Sequence, residues 1–155
     1  MNKLIDQSTQ KVTKLITELR PEILDNLGLL PALEWQVEDL REHRGISCRF
    51  HSTVKELALK DELSTAIFRI FQEALTNVAR HSKATEVDIS LEKINDYLRL
   101  RIIDNGIGLS EDQLKDSERF GLIGMKERAK VFGGSVEIEG KKEKGTRVEV
   151  RIPIS

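Results

Sequence analysis

Apolar side chains recur with two different periods along this 155-residue chain, and the places where the period changes mark its elements. Leu4, Val12, Leu15, Ile16 and Leu19 fall at roughly helical spacing in a polar background, which predicts an amphipathic arm that breaks at Arg20-Pro21. A second helix is predicted from about Leu30 to Arg44, with Leu33, Val37 and Leu40 on one face and Gly45 as its stop. Ile46 to His51 follows as a short strand. Asp61 is expected to cap a third helix through about Arg80, in which Leu63, Ala66, Ile67, Ile70, Ala74, Leu75 and Val78 keep the 3.6-residue period. The period then drops to two. Val87, Ile89 and Leu91 alternate in one strand and Leu98, Leu100 and Ile102 in the next, with Asn95-Asp96 as the turn. A polar stretch from Ser110 to Arg119 leads into a helix from about Leu122 to Phe132, stopped by Gly133-Gly134. Two strands close the chain, Ser135 to Glu139 and Thr146 to Ile152.

Hairpin-joined strands, with helices that must all cover one apolar face, predict an α+β fold: a two-layer α/β sandwich rather than a doubly wound parallel sheet. A dinucleotide-binding Rossmann unit is excluded locally, because Gly106 and Gly108 lack the third glycine of that fingerprint and no helix opens directly behind them.

Three places carry residues with chemistry. Asp104-Asn105-Gly106-Ile107-Gly108 ends a strand in a carboxylate and two spaced glycines, a turn that lets a ligand approach the backbone, though Asp-Gly turns are also plain hairpin chemistry. Glu73, Asn77 and His81 are spaced i, i+4, i+8 and would form one polar stripe on the third helix. An Asn amide oxygen there suits Mg²⁺, which takes few protein ligands, and the carboxylate one turn away could act on a nucleophile; the same pair also makes an ordinary solvated face. Arg80 and His81 would lie near phosphates, and His81 is equally a cation at a helix end. Gly121-Leu122-Ile123-Gly124-Met125 opens a helix whose free N–H groups suit phosphate, or needs glycine only for its turn; Met125 alone would read as core. Gly145-Thr146 begins a strand and is open to either reading.

Charge narrows the partners. With 25 basic and 26 acidic residues the net charge is −1, which leaves no electrostatic footprint for nucleic acid or an anionic membrane. The single Cys48 excludes an internal disulfide framework and a Cys-rich metal site, in keeping with a cytoplasmic setting. No apolar run reaches transmembrane length, and attachment of a longer parent to a membrane stays open.

Taken together the motifs resemble those of a known family. Glu73-Ala74-Leu75-Thr76-Asn77-Val78-Ala79-Arg80-His81-Ser82 resembles the N box of GHKL-superfamily ATP-binding domains. Asp104 to Gly108 resembles their G1 box, and Gly121-Leu122-Ile123-Gly124-Met125-Lys126-Glu127-Arg128 their G2 box. Arg20-Pro21-Glu22-Ile23-Leu24-Asp25-Asn26-Leu27-Gly28-Leu29-Leu30-Pro31-Ala32-Leu33 is similar to the connector of sensor histidine kinases that partner helix-turn-helix response regulators. The resemblance implies a Bergerat-type ATP-binding fold with ATP and Mg²⁺ as cofactors. Asp104 would accept from the adenine 6-amino group, Asn77 would hold Mg²⁺, and Glu73 would be the base for a histidine nucleophile. Gly106 and Gly108 would admit the base and Gly121 and Gly124 the phosphates, with Leu122 and Met125 beside them, Arg80 and His81 near them, and Thr146 by Asp104. The segment from Leu109 to Phe120 would be a short ATP lid.

One departure accompanies the resemblance. A complete kinase of this type carries a phosphoacceptor histidine followed by an acidic residue, whereas His43 precedes Arg44, His51 precedes Ser52 and His81 precedes Ser82. Residues 1–20 would be a remnant of the dimerisation and phosphoacceptor bundle and 21–155 the catalytic domain, so the chain is expected to be a fragment or natural truncation that dimerises only with the full bundle. Two rivals share these boxes: a protein serine kinase of the anti-sigma type, and a non-catalytic nucleotide-binding or dimerising module.

Overall fold

The computed structural model describes residues 21–108 and 120–154, apart from the side chains of His81 and Phe120. The amphipathic arm of residues 1–20, nearly all of the lid-like segment 109–120 and the His81 side chain therefore lie outside the described residues.

The elements run in the order α1 (Glu22–Leu27), α2 (Leu29–Arg44), β1 (Ser47–Ser52), α3 (Asp61–Asn77), a π-helical turn (Val78–Ser82), β2 (Glu86–Ile94), β3 (Tyr97–Asp104), α4 (Phe120–Val131), β4 (Ser135–Lys141) and β5 (Gly145–Pro153). The five strands form one sheet in the order β1-β2-β3-β5-β4, with β1 and β2 parallel and every other pair antiparallel. This is the mixed, mostly antiparallel sheet of a two-layer sandwich. Strand alternation sends Val87, Ile89, Leu91, Leu98, Leu100, Ile102, Val136, Val148, Val150 and Ile152 to one face, where all are buried. α3 lies between α2 and α4 over that face and buries Ile67, Ile70, Phe71 and Ala74. Each large apolar side chain so buried contributes roughly 1.5–3 kcal/mol.

Three expectations need correction. Asp61 is not the cap of α3: Lys60 holds that position with extended backbone and no side-chain bond, and Asp61 is the first helical residue. A carboxylate in the first turn still favours the helix through its dipole, which is why the sequence signal fell one residue off. Regular α-helix also ends at Asn77 rather than near Arg80, because Val78–Ser82 winds as a π turn. The α-helical phase that would align Glu73, Asn77 and His81 therefore stops at Asn77. Lastly, the stretch read only as a connector contains α1, begun at Pro21 and ended by Gly28 at φ 89°; six residues are too few for a periodic signal.

No helix among the described residues covers the other face of the sheet. It carries ion pairs from strand to strand, Arg49–Asp88, Arg99–Glu92, Arg147–Glu139 and Arg101–Glu149 (2.7 Å), and Glu149 also pairs with Arg151 of its own strand (3.3 Å). Exposed pairs of this kind contribute little, but Glu149 is only 3% exposed. Burial pushes its pKa up, yet the bond from Arg101 and the charges of Arg101, Arg151 and Arg147 outweigh burial and hold it below its ordinary value of 4.5. A lowered carboxylate pKa stabilises the fold above the unfolded value and loses that contribution as pH falls through the folded one. Thermal unfolding followed from neutral pH into acid should therefore show part of the loss below about pH 4.5 disappearing in Glu149→Gln, which should also be less stable at neutral pH. An unchanged acid limb in the variant would contradict this.

Candidate functional site

β3 lies between β2 and β5, and its last residue, Asp104, stands opposite Val87 on one side and Thr146 on the other. The alternation that buries Leu98, Leu100 and Ile102 also turns Asp104 inward, where it is 5% exposed. A carboxylate so placed needs donors, and the turn and β5 each supply one. Gly106 N–H donates to Asp104 Oδ1 at 2.8 Å, and the Thr146 backbone N–H bonds to the same carboxyl. Burial raises the Asp104 pKa above its ordinary value, while these two N–H groups pull the other way and favour the charged form.

Above the strand end lies the C-terminal part of α3. Ala74 and Asn77, together with Val78 and Ser82 of the π turn, form one wall of a cavity; Ile102, Ile138 and Val148 form an apolar floor, and Asp104, Gly108, Leu122 and Thr146 complete it. The cavity is narrow, about 30 Å³, space for one or two waters, so a larger ligand enters only if its walls separate.

Glycine at 106 and 108 has a tertiary reason. A Cβ on Gly106 would run into the carbonyl of Ser82, whose oxygen also accepts from Ile107 N–H at 2.7 Å. Gly108 has φ 75° and lies where a Cβ would meet the carbonyls of Lys141 and Gly145. The Asp104–Gly108 loop is thus wedged between the π turn and the β4–β5 turn. Glu73, one helical turn before Asn77, is half-buried, and the α-carbon of Gly121 lies so close to its Oε1 that a Cβ there would collide. A carboxylate, an amide and a second, buried carboxylate therefore sit along one path from the start of α4 to the end of β3.

A family model for histidine kinase-, DNA gyrase B-, and HSP90-like ATPases matches residues 62–155, which contain all of these groups. The chain belongs to this family. It is 36% identical over 155 residues to the signal transduction histidine-protein kinase/phosphatase DegS of Brevibacillus brevis, covering all of this chain and 40% of that protein. It is 38% identical over 148 residues to the sensor histidine kinase LiaS of Bacillus subtilis (strain 168), covering 96% of this chain and again 40% of the relative. The chain thus spans about two fifths of the length of both. The Acinetobacter baumannii histidine kinase AdeS superposes with a TM-score of 0.69 at 17% identity, over 97% of this chain and 80% of that one, a likeness of fold.

Within this ATPase domain the residues singled out from sequence separate into three groups. Asn77, Asp104, Gly108, Leu122 and Thr146 meet in the cavity, with Gly106 packed directly behind it. Glu73 and Gly121 face each other at the start of α4, while the space beside Gly124 is open. Arg80 and Met125 lie elsewhere. Arg80 is exposed and lines a groove between α2 and α3 beside Trp35 and His43, and Met125, 1% exposed, packs in the core. The His81 side chain lies outside the described residues.

Two contributors escaped the sequence reading. Ser82 is buried at the cavity wall, its Oγ donating to Val78 O at 2.7 Å and accepting from Ala84 N–H at 3.0 Å. Asn105 bonds across to the residues that enter β2. A small polar residue just past a long apolar helix was the available signal for Ser82.

Proposed function

We propose that the chain is the ATP-binding catalytic domain of a sensor histidine kinase and transfers the ATP γ-phosphoryl group to a histidine of a phosphoacceptor bundle, for relay to a response regulator. The observation that carries this reading is the buried Asp104 carboxylate, oriented by two backbone N–H groups and opening onto the same cavity as Asn77. A carboxylate fixed there accepts from the adenine 6-amino group and disfavours guanine, whose 6-oxo group would leave two acceptors facing each other. Asn77 is the residue that would hold Mg²⁺, which when bound neutralises phosphate charge; its single amide oxygen fits a cation that takes most ligands from phosphates and water. Glu73 then serves as base for the incoming histidine. The first turn of α4, with Gly121, Leu122 and Gly124, presents N–H groups to the phosphates. Phosphoryl transfer asks the protein chiefly for positioning and charge neutralisation, and these side chains and N–H groups would supply both.

In this reading residues 1–20 belong to the dimerising helices of the bundle, residues 21–155 form the catalytic unit, and the domain works in the cytoplasm. Its downstream partner is a response regulator with a helix-turn-helix output, and the domain itself makes no nucleic-acid contact. Since none of His43, His51 and His81 is followed by an acidic residue, the acceptor comes from another part of the kinase.

The test is to mix the chain with Mg-ATP and a histidine-bearing bundle from a related kinase. Acid-labile phosphate on the bundle, with none on the chain alone, is the expected result; the rate should be low because the tether's effective concentration is missing. Acid-stable phosphate on serine would point to the anti-sigma type of kinase, and nucleotide binding without any transfer to a binding module.

A further inference from the structure

Of the two N–H groups that hold Asp104, that of Gly106 belongs to its own turn, so whatever fixes that turn helps to fix the carboxylate. Gly106 N–H reaches Oδ1 only while the backbone just after Asp104 keeps its course. Between them stands Asn105, exposed and outside the cavity. Its Oδ1 accepts from the backbone N–H groups of Thr85 (2.9 Å) and Glu86 (3.0 Å), and its Nδ2 donates to Thr85 Oγ1 at 2.9 Å. Its own N–H donates to Glu86 O at 3.2 Å. One side chain thereby spends its amide oxygen and one amide hydrogen on the two residues that lead into β2. That lead-in is itself constrained, since it follows Lys83 at φ 55° and Ser82, which accepts from Ile107 N–H two residues beyond Asn105. The base-facing turn is therefore pinned twice to the segment that continues from Asn77, once through Asn105 and once through the Ser82 carbonyl.

We propose that Asn105 is a specificity-determining positioning residue: by clamping the turn to Thr85 and Glu86 it holds Asp104 where the edge of the base is read, so that discrimination between adenine and guanine depends on a side chain that touches no nucleotide. The inference rests on the nucleotide reading of the Asp104 cavity. Without the clamp the turn samples more conformations, Gly106 N–H no longer fixes Oδ1, and the carboxylate rotates away from an oxo group as readily as it meets an amino group.

The experiment measures ATP and GTP affinities of the full chain by calorimetric titration for the wild type, Asn105→Ala, Asn105→Asp and Thr85→Val. A general loss of folded protein lowers both affinities together and leaves their ratio unchanged, whereas a positioning role changes the ratio. Asn105→Ala should lower the ATP-over-GTP preference about tenfold. Asn105→Asp keeps an acceptor for both backbone N–H groups and should retain most of the preference. Thr85→Val, which removes only the Nδ2 bond, should lower it about threefold, and this milder change serves if the alanine variant folds poorly. A wild-type preference that survives intact in Asn105→Ala and Thr85→Val overturns the proposal and leaves the nucleotide site standing. A wild type that binds ATP and GTP equally overturns both.

Discussion

Replacing Asp104 by Asn should weaken ATP binding by about 1–3 kcal/mol, a loss of roughly 5- to 150-fold, and should erode the preference over GTP. The carboxyl already accepts from Gly106 and Thr146 N–H and offers its remaining capacity to the cavity. An amide has one acceptor oxygen, so either a backbone N–H or the adenine amino group would face an NH₂ donor. Calorimetric titration checks this, and a variant that binds ATP as the wild type does would remove Asp104 from the site. Acid should imitate the substitution. Because burial raises the Asp104 pKa, protonation and loss of ATP affinity should begin above its ordinary value of 3.8. The same shift has the opposite sign for folding from that of Glu149. The cost of the buried charge is absent where Asp104 is protonated in both states, below pH 3.8, and fully present above its raised folded value.

Glu73→Gln should lower phosphoryl transfer to a supplied bundle about 10²- to 10⁴-fold, the usual contribution of a general base, while leaving nucleotide affinity within about threefold of the wild type. Glutamine keeps the volume and hydrogen-bonding reach of the side chain beside Gly121 but cannot take a proton. Glu73 also stands outside the cavity that Asp104 and Asn77 share, so binding and transfer should separate in this variant. Single-turnover transfer measured together with titration decides the point. An equal fall in both would make Glu73 a binding residue, and normal transfer would remove it from the reaction.

The one-dimensional pattern determined the elements and the residue types of the site, because each rests on local information. Period two in Val87 to Leu91 and Leu98 to Ile102 comes from a backbone that alternates its faces, and it also places Asp104 on the buried side. Period 3.6 in α3 likewise places Glu73 and Asn77 one turn apart. Only the tertiary structure decided what those residues face. The pairing of β5 between β3 and β4 brings Thr146 beside Asp104 across 41 intervening positions of chain, a long-range register that no local pattern encodes. The π turn at Val78–Ser82 breaks the stripe that spacing alone would extend to His81, since it answers to the bond that Ser82 makes with the Asp104 loop. For the same reason the glycines at 106 and 108 meet carbonyls of Ser82, Lys141 and Gly145 rather than open space, and Arg80 lines a different groove from Asp104. Propensity and period act within about one turn of helix or one pair of strand residues, whereas close approach between segments is settled by how the two layers pack.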